Sequence, residues 1–420
     1  MACADAGSYL ARLDQTPAGE RWPLARGWIR SEPRGFFAAL RRERPILETP
    51  DVTLVAKRAE VAEILSLPGV FTVALYTGKM GDFMLASDET PMHTRDKSVM
   101  RAMLNRDDLP RIRALVAGLA DAALDRACGR MEVVSALARL VPLRVVQQYF
   151  GLAAPDADML RWSYANQLDQ FNNLPFDGRP DAEAVHAAAE ATRAELRTAL
   201  VGLIPGRKKR IAEGAQDDDV LTRLLRTAFP PSLGFGLDRV VINVGGLLIG
   251  AIETTSEAVV NALAELFRRP QVLEEARRAA RAEDPRAFDG YVWEALRFSP
   301  IVAFMFRQAA ADHVLARGTS RERLVRAGTT LLPLSLSAMF DPDWIEEPDA
   351  FRAGRPDHAY LHFGYGHHAC LGRYVASVMV PEIVRRVLLR DGLALESDLD
   401  DGGTPFPVSF RIAYAPAPGC

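Results

Sequence analysis

The stretch from Asp238 to Arg269 sets the scale of the fold. It reads as one long helix, with Asp238 as its N-cap and Pro270 as its stop. At 1.5 Å per residue such a helix runs roughly 45 Å, the width of a whole domain. Its middle, VVINVGGLLIGAI, is nearly all apolar, so the helix is expected to cross a core. That apolar run is too short to span a bilayer. The opening residues, MACADAGSYLARLDQTPAGE, lack the basic start and apolar run of a signal peptide. A soluble chain without membrane contact is expected.

The flanks support a mainly helical chain. RIRALVAGLADAALDRA and AEAVHAAAEATRAELRTALVGLI place apolar residues at i, i+3 and i+4 with charges opposite. RAEVAEILSLPG predicts a short helix ending at Leu67-Pro68-Gly69, and VTLVAK and GVFTVALY predict strands. After Pro300 the segments AFMFRQAAADHVL and RLVRAGTTLLPLSLSAMF alternate like strands. RKKR, from Arg207 to Arg210, is expected to be a solvated helix end before GAQDDD rather than a nuclear signal. Pro381 should kink the last helix. With 49% hydrophobic residues over 420 and no linker, the expectation is one domain over 1–420, mainly α with a small β region. A net charge of −3 gives no reason to expect nucleic acid or an anionic membrane as partner.

Four cysteines, Cys3, Cys128, Cys370 and Cys420, form neither a disulfide framework nor CxxC pairs, which fits a reducing cytoplasm. Cys370 sits in HFGYGHHACLG. Zinc would need four ligands, and only His367 and His368 stand near. A nucleophile would need a base and an oxyanion site. A buried cysteine in a turn is the plain alternative, but the glycine density points to a special backbone path or a close approach. A thiolate ligand to haem iron is the fourth reading, favoured by a helix that can begin directly after Cys370.

FGYGHHACLG resembles the cysteine-ligand loop of the cytochrome P450 superfamily, Phe-Gly-x-Gly-x-His-x-Cys-x-Gly, at every fixed position. The resemblance extends from about Trp28 to the tail. It implies that Cys370 ligates the iron of one haem b, with Phe363, Gly364, Gly366 and Gly372 around it. EALR supplies Glu294 and Arg297, and PDAFRAGRP supplies Arg355, which match the family's buried charge network. GAIETT resembles the oxygen-activation motif. Thr254 then matches the hydroxyl that serves dioxygen and Glu253 the proton-relaying carboxylate, with Ala251 where glycine is usual. A hydroxyl bonded to an earlier carbonyl can open such a helix locally. In DETPMHTRDK, His93 and Lys97 match propionate contacts, Lys97 standing where arginine is usual, and Arg307 and His368 match the others.

The resemblance implies the P450 fold, with the haem between the long central helix and the cysteine loop. It implies a cytoplasmic haem–thiolate monooxygenase that uses dioxygen on a medium-sized organic substrate, in secondary metabolism or catabolism. A separate ferredoxin and its reductase would supply electrons. Arg101, Arg106 and Arg373 are the expected docking cations. By family analogy the pocket draws on Phe83, Asn243, Leu247, Phe304, Met305 and Phe406. Two alternatives are a haem–thiolate enzyme using peroxide or coupling substrates without oxygen insertion, and a haem-binding protein without turnover.

Overall fold

In the computed structural model, residues 7–80, 82–88 and 91–416 are described; Cys3, Cys420 and the Glu-Thr pair at 89–90 lie outside them. The chain divides into two compact units. The first comprises Met1–Thr77, Leu85–Glu89 and Pro300–Cys370, and the second Gly78–Met84, Thr90–Ser299 and Leu371–Cys420.

The first unit is built on a five-stranded sheet in the order Ile46–Glu48, Thr53–Val55, Thr330–Pro333, Arg307–Ala309, Phe71–Thr72. Thr53–Val55 and Thr330–Pro333 run parallel, with Leu54 opposite Leu332, and the other pairs are antiparallel. The expected strand in VTLVAK is present, but GVFTVALY yields only Phe71–Thr72 before a 3-10 turn over Ala74–Tyr76. Likewise SLSA, expected to extend a strand, forms the short helix Ser335–Ala338. The helix expected in RAEVAEILSLPG runs Arg58–Ser66. Helices Arg21–Ser31 and Pro33–Glu43 bury Trp28, Phe36, Phe37 and Leu40. Trp28 and Phe36 pack with ring centres 5.2 Å apart.

The second unit is mostly helix. Leu109–Arg126, Arg286–Phe298 and Arg373–Leu388 are tied by Arg113, which donates to Asp289 at 2.6 Å and to buried Glu382 at 3.2 Å. Arg373–Leu388 runs unbroken through Pro381. Helix Ala182–Ala212 extends through RKKR, and Arg207 turns inward to Asp219 and Thr222 instead of facing water. An antiparallel sheet places Ser409–Ala413 between Arg130–Glu132 and Ala394–Asp400.

The long helix is two segments, Leu237–Ala251 and Glu253–Phe267, separated at Ile252. Gly236, not Asp238, holds the N-cap position, and Asp238 pairs with Arg197 at 2.8 Å. Taken together, Leu237–Phe267 is long and apolar enough to cross a membrane, contrary to the expectation from its apolar middle alone. Yet 72% of its most apolar window is buried in protein, as in a core helix.

Candidate active site

The cysteine loop belongs to the first unit. Gly364 and Gly366 adopt φ of +69° and +71°, the left-handed region that glycine enters without penalty. The Cys370 amide donates to the Phe363 carbonyl at 2.8 Å and closes the loop. A Cβ on Gly366 would stand 2.3 Å from the Leu65 carbonyl oxygen, so this glycine admits the end of helix Arg58–Ser66. A Cβ on Gly364 would meet the Met305 sulfur at 3.5 Å and the Ala369 Cα at 3.9 Å, both ordinary contacts. Gly372 has φ −79° and precedes the helix that starts at Arg373, three residues after the cysteine. The His368 side chain is 6% exposed, with Nε2 3.5 Å from Asp88 Oδ1. His367 packs edge-on against His368, and His362 stacks on Tyr360.

Arg307, in the same unit, is 5% exposed. Its Nη1 donates to the Phe306 carbonyl at 2.7 Å, and no carboxylate pairs with it among the described residues. Burial lowers its pKa, while Tyr76 and Asp88 act in the opposite sense. A buried guanidinium without an ion pair is costly and calls for an anion. A thiol in a glycine loop and an unpaired buried cation are a donor set that fits a haem with its carboxylates. Phe304 and Met305 are half-buried beside Arg307 in sequence, and the Met305 amide donates to the Pro333 carbonyl at 3.0 Å.

In the second unit, the Thr254 hydroxyl donates to the Gly250 carbonyl at 2.6 Å, across the break at Ile252. That carbonyl would otherwise accept from the amide ladder, so the hydroxyl offers the backbone an alternative where the helix opens. Ala251 is the last residue before the break. Glu253 is 3% exposed, and its Oε1 accepts from Arg139 Nη2 at 2.6 Å. Burial raises the Glu253 carboxyl above its ordinary pKa, and Arg139 opposes this. Glu257, one turn on, is raised well above the usual carboxylate range by burial and then by Glu253.

His93 and Lys97 lie four apart on helix Pro91–Met103 and are both buried. His93 Nδ1 donates to the Met84 carbonyl at 2.7 Å, which places a proton on that nitrogen. Asp96, between them, is fully buried and accepts from Arg95, Arg239 and Asn243. Asn243, expected to face substrate, is therefore fully buried with its amide nitrogen committed to Asp96 at 2.8 Å. Phe83 packs where a Cβ on Gly246 would stand, 2.2 Å from its ring. Leu247 and Phe406 are also buried, the latter against Tyr164 at 5.2 Å.

Glu294 and Arg297 are both fully buried and joined at 2.7 and 3.0 Å. Arg355, in the first unit, donates to the carbonyls of Glu346, Glu347 and Ala350. Sequence reasoning missed Arg139, Asp96 and Glu257. Arg139 lies far away in the chain, and nothing local marks it. Glu257 was legible as an acid four residues beyond Glu253.

The cytochrome P450 family model matches residues 157–397, more than half of the chain. Cytochrome P450 monooxygenase PikC of Streptomyces venezuelae is 29% identical over 312 residues, covering 73% of this chain and 68% of PikC. Cytochrome P450 GfsF of Streptomyces halstedii is 27% identical, covering 92% of this chain and 93% of GfsF. The crystal structure of CalO2 superposes with a TM-score of 0.75 at 25% identity, over 92% of this chain and 97% of CalO2. CYP109E1 from Bacillus megaterium, at 18% identity and a TM-score of 0.76 over 91% of this chain and 98% of that one, shows the fold alone. The mainly helical architecture is thus that of a family of oxygen-incorporating oxidoreductases that carry haem. The chain belongs to the cytochrome P450 family and is a monooxygenase.

Proposed function

We propose that the chain, as one domain over 1–420, is a cytoplasmic haem b monooxygenase. It oxidises a medium-sized organic molecule with electrons from a separate ferredoxin and reductase. The observation that carries this reading is the Thr254–Gly250 bond at the helix break, next to a buried Glu253 held by Arg139. A peroxide-driven enzyme needs no such proton path, so the arrangement supports the dioxygen-dependent reading.

Cys370 would hold the iron, with Phe363, Gly364, Gly366, Gly372 and Ala251 against the macrocycle. His93, Lys97, Arg307 and His368 would hold the propionates, each cation matched to a carboxylate that burial would otherwise disfavour. When bound, the haem supplies the reductive activation of dioxygen. Glu253 accepts and releases a proton at its carboxyl, Arg139 orients that carboxyl, and the Thr254 hydroxyl passes the proton on. Glu294, Arg297 and Arg355 would brace the cysteine loop. Substrate would meet Phe83, Leu247, Phe304, Met305 and Phe406, with Asn243 supporting from behind through Asp96. Relatives named Cyclomarin C epoxidase and Vitamin D(3) 25-hydroxylase support an organic substrate.

The carbon monoxide complex of the reduced protein tests the iron ligand. The red-shifted Soret band of a thiolate-ligated haem is expected, and it should vanish in Cys370→Ala. Its absence from the wild type, or its survival in that variant, overturns the reading. Thr254→Ala should lower product formed per dioxygen consumed by about tenfold or more and leave peroxide-driven turnover intact. Unchanged coupling would favour the peroxide alternative.

A further inference from the structure

Glu257 stands one turn beyond Glu253 on helix Glu253–Phe267. Residues four apart share a helix face, with Cβ atoms about 5–6 Å apart. Arg139 is committed to Glu253, and no cation pairs with Glu257 among the described residues. Among charged groups on elements packed against this helix, Glu294 pairs with Arg297, Glu382 with Arg113 and Arg385, and Asp169 with His186, while helix Pro270–Ala280 carries Glu274, Glu275, Arg277 and Arg278. Toward the helix end, Glu265 is held by Arg268 and Arg269. Glu253 is thus the charged group that acts on Glu257.

Glu253 is buried and Glu257 half-buried, and two carboxyls on one helix face with a single guanidinium cannot cheaply carry two negative charges. Arg139 selects Glu253 as the ionised member. Such a pair titrates as a unit, not as two separate acids.

We propose that Glu257 is the proton reservoir of Glu253: the two carboxyls share one proton across a helical turn, and Glu257 holds it at rest. The proposal rests on the oxygenase reading for where the proton goes. When Glu253 needs to recharge, the O–H bond at Glu257 breaks and one forms at Glu253. No electron moves, and the Glu257 carboxylate recovers a proton from water. Because Glu257 acts through Glu253, it is a positioning residue.

Infrared spectroscopy of the ferric holoenzyme tests the shared proton directly. A protonated-carboxyl C=O stretch is expected at neutral pH in the wild type and should be lost in Glu257→Gln. In Glu253→Gln the repulsion is gone, so the same band should titrate at lower pH. In turnover, Glu257→Gln should lower kcat about tenfold, less than the ~100-fold or more of a direct acid. It should also change the alkaline limb of the pH profile, and Glu257→Asp should restore both. Persistence of the band in Glu257→Gln, or a wild-type pH profile in that variant, overturns the proposal. If Glu257→Gln does not accumulate as folded holoenzyme, the Glu253→Gln titration decides alone: an unmoved band rejects the shared proton. Loss of the oxygenase reading would instead appear in the carbon monoxide spectrum, independently of the infrared band.

Discussion

Gly366 and Gly246 are constrained by different neighbours, and the difference can be measured. At Gly366 an alanine would meet both a φ of +71° and the backbone oxygen of Leu65, which cannot swing aside. Gly366→Ala should cost about 2 kcal/mol or more, read as a lower urea midpoint. At Gly246 the obstacle is the Phe83 ring, a side chain that can move. Gly246→Ala should cost about 1–3 kcal/mol and shift Phe83. Gly118 is the control: exposed in helix Leu109–Arg126, with nothing within 4 Å of a Cβ. Gly118→Ala should stabilise by about 0.5–1 kcal/mol. Equal effects at all three would show that helix and loop propensity, not contact, governs these positions. The FGYGHHACLG motif gives a glycine at 366 without saying what approaches it. That Gly366 accommodates Leu65 depends on a partner some three hundred residues earlier in the chain.

The helix that opens at Ile252 shows how much of an element can be read in advance. Its length, apolar middle and polar GAIETT interruption are visible in one line of sequence, because each is a local pattern. Its true start at Gly236 is not, since Asp238 has the chemistry of a cap but pairs with Arg197 instead. The partner of Glu253 is not visible either, because Arg139 is brought there by the junction between Val134–Ala138 and helix Leu140–Gln148. SLSA fails for the same kind of reason: alternation reads as strand, while burial of all four residues is met by a short helix. The acids of this helix also predict a pH dependence. A carboxyl whose pKa is raised by folding contributes fully below its unfolded value, and that contribution is lost as pH rises through the folded value. For Glu257 the window opens at 4.5, the ordinary glutamate value, and extends upward. Wild-type stability should therefore fall relative to Glu257→Gln as pH rises above 4.5, by about 1.4 kcal/mol per unit within the window. Parallel urea-unfolding curves at every pH would exclude a folded-state proton on Glu257. A different mechanism governs helix Arg286–Phe298. Arg297→Ala takes the guanidinium from a fully buried Glu294 carboxylate and should cost about 3–5 kcal/mol. Replacing both partners by apolar residues should cost less.

At the scale of the whole molecule, a net charge of −3 gives no general attraction for an acidic electron carrier. Any steering toward the proposed ferredoxin must come from a local patch. Arg106 and Arg373 form one in the second unit: both are exposed and stack on the Tyr374 ring, at 3.8 and 5.1 Å from its centre. The shared ring keeps the two guanidinium groups close despite their repulsion. Arg101 is exposed near the end of helix Pro91–Met103. A steered encounter is fast at low salt and slows as ions screen it beyond about 10 Å at 0.1 M. Arg106→Glu with Arg373→Glu should therefore lower the second-order reduction rate at least about tenfold at low ionic strength. The doubly reversed protein should also lose most of its salt dependence, since the charges being screened are gone. Stopped-flow reduction across a salt series separates this from damage to the site: a steering defect closes at high salt, where both proteins converge, while a damaged haem environment stays slow at every ionic strength. Rates that coincide with the wild type throughout would remove this face from the path of electrons.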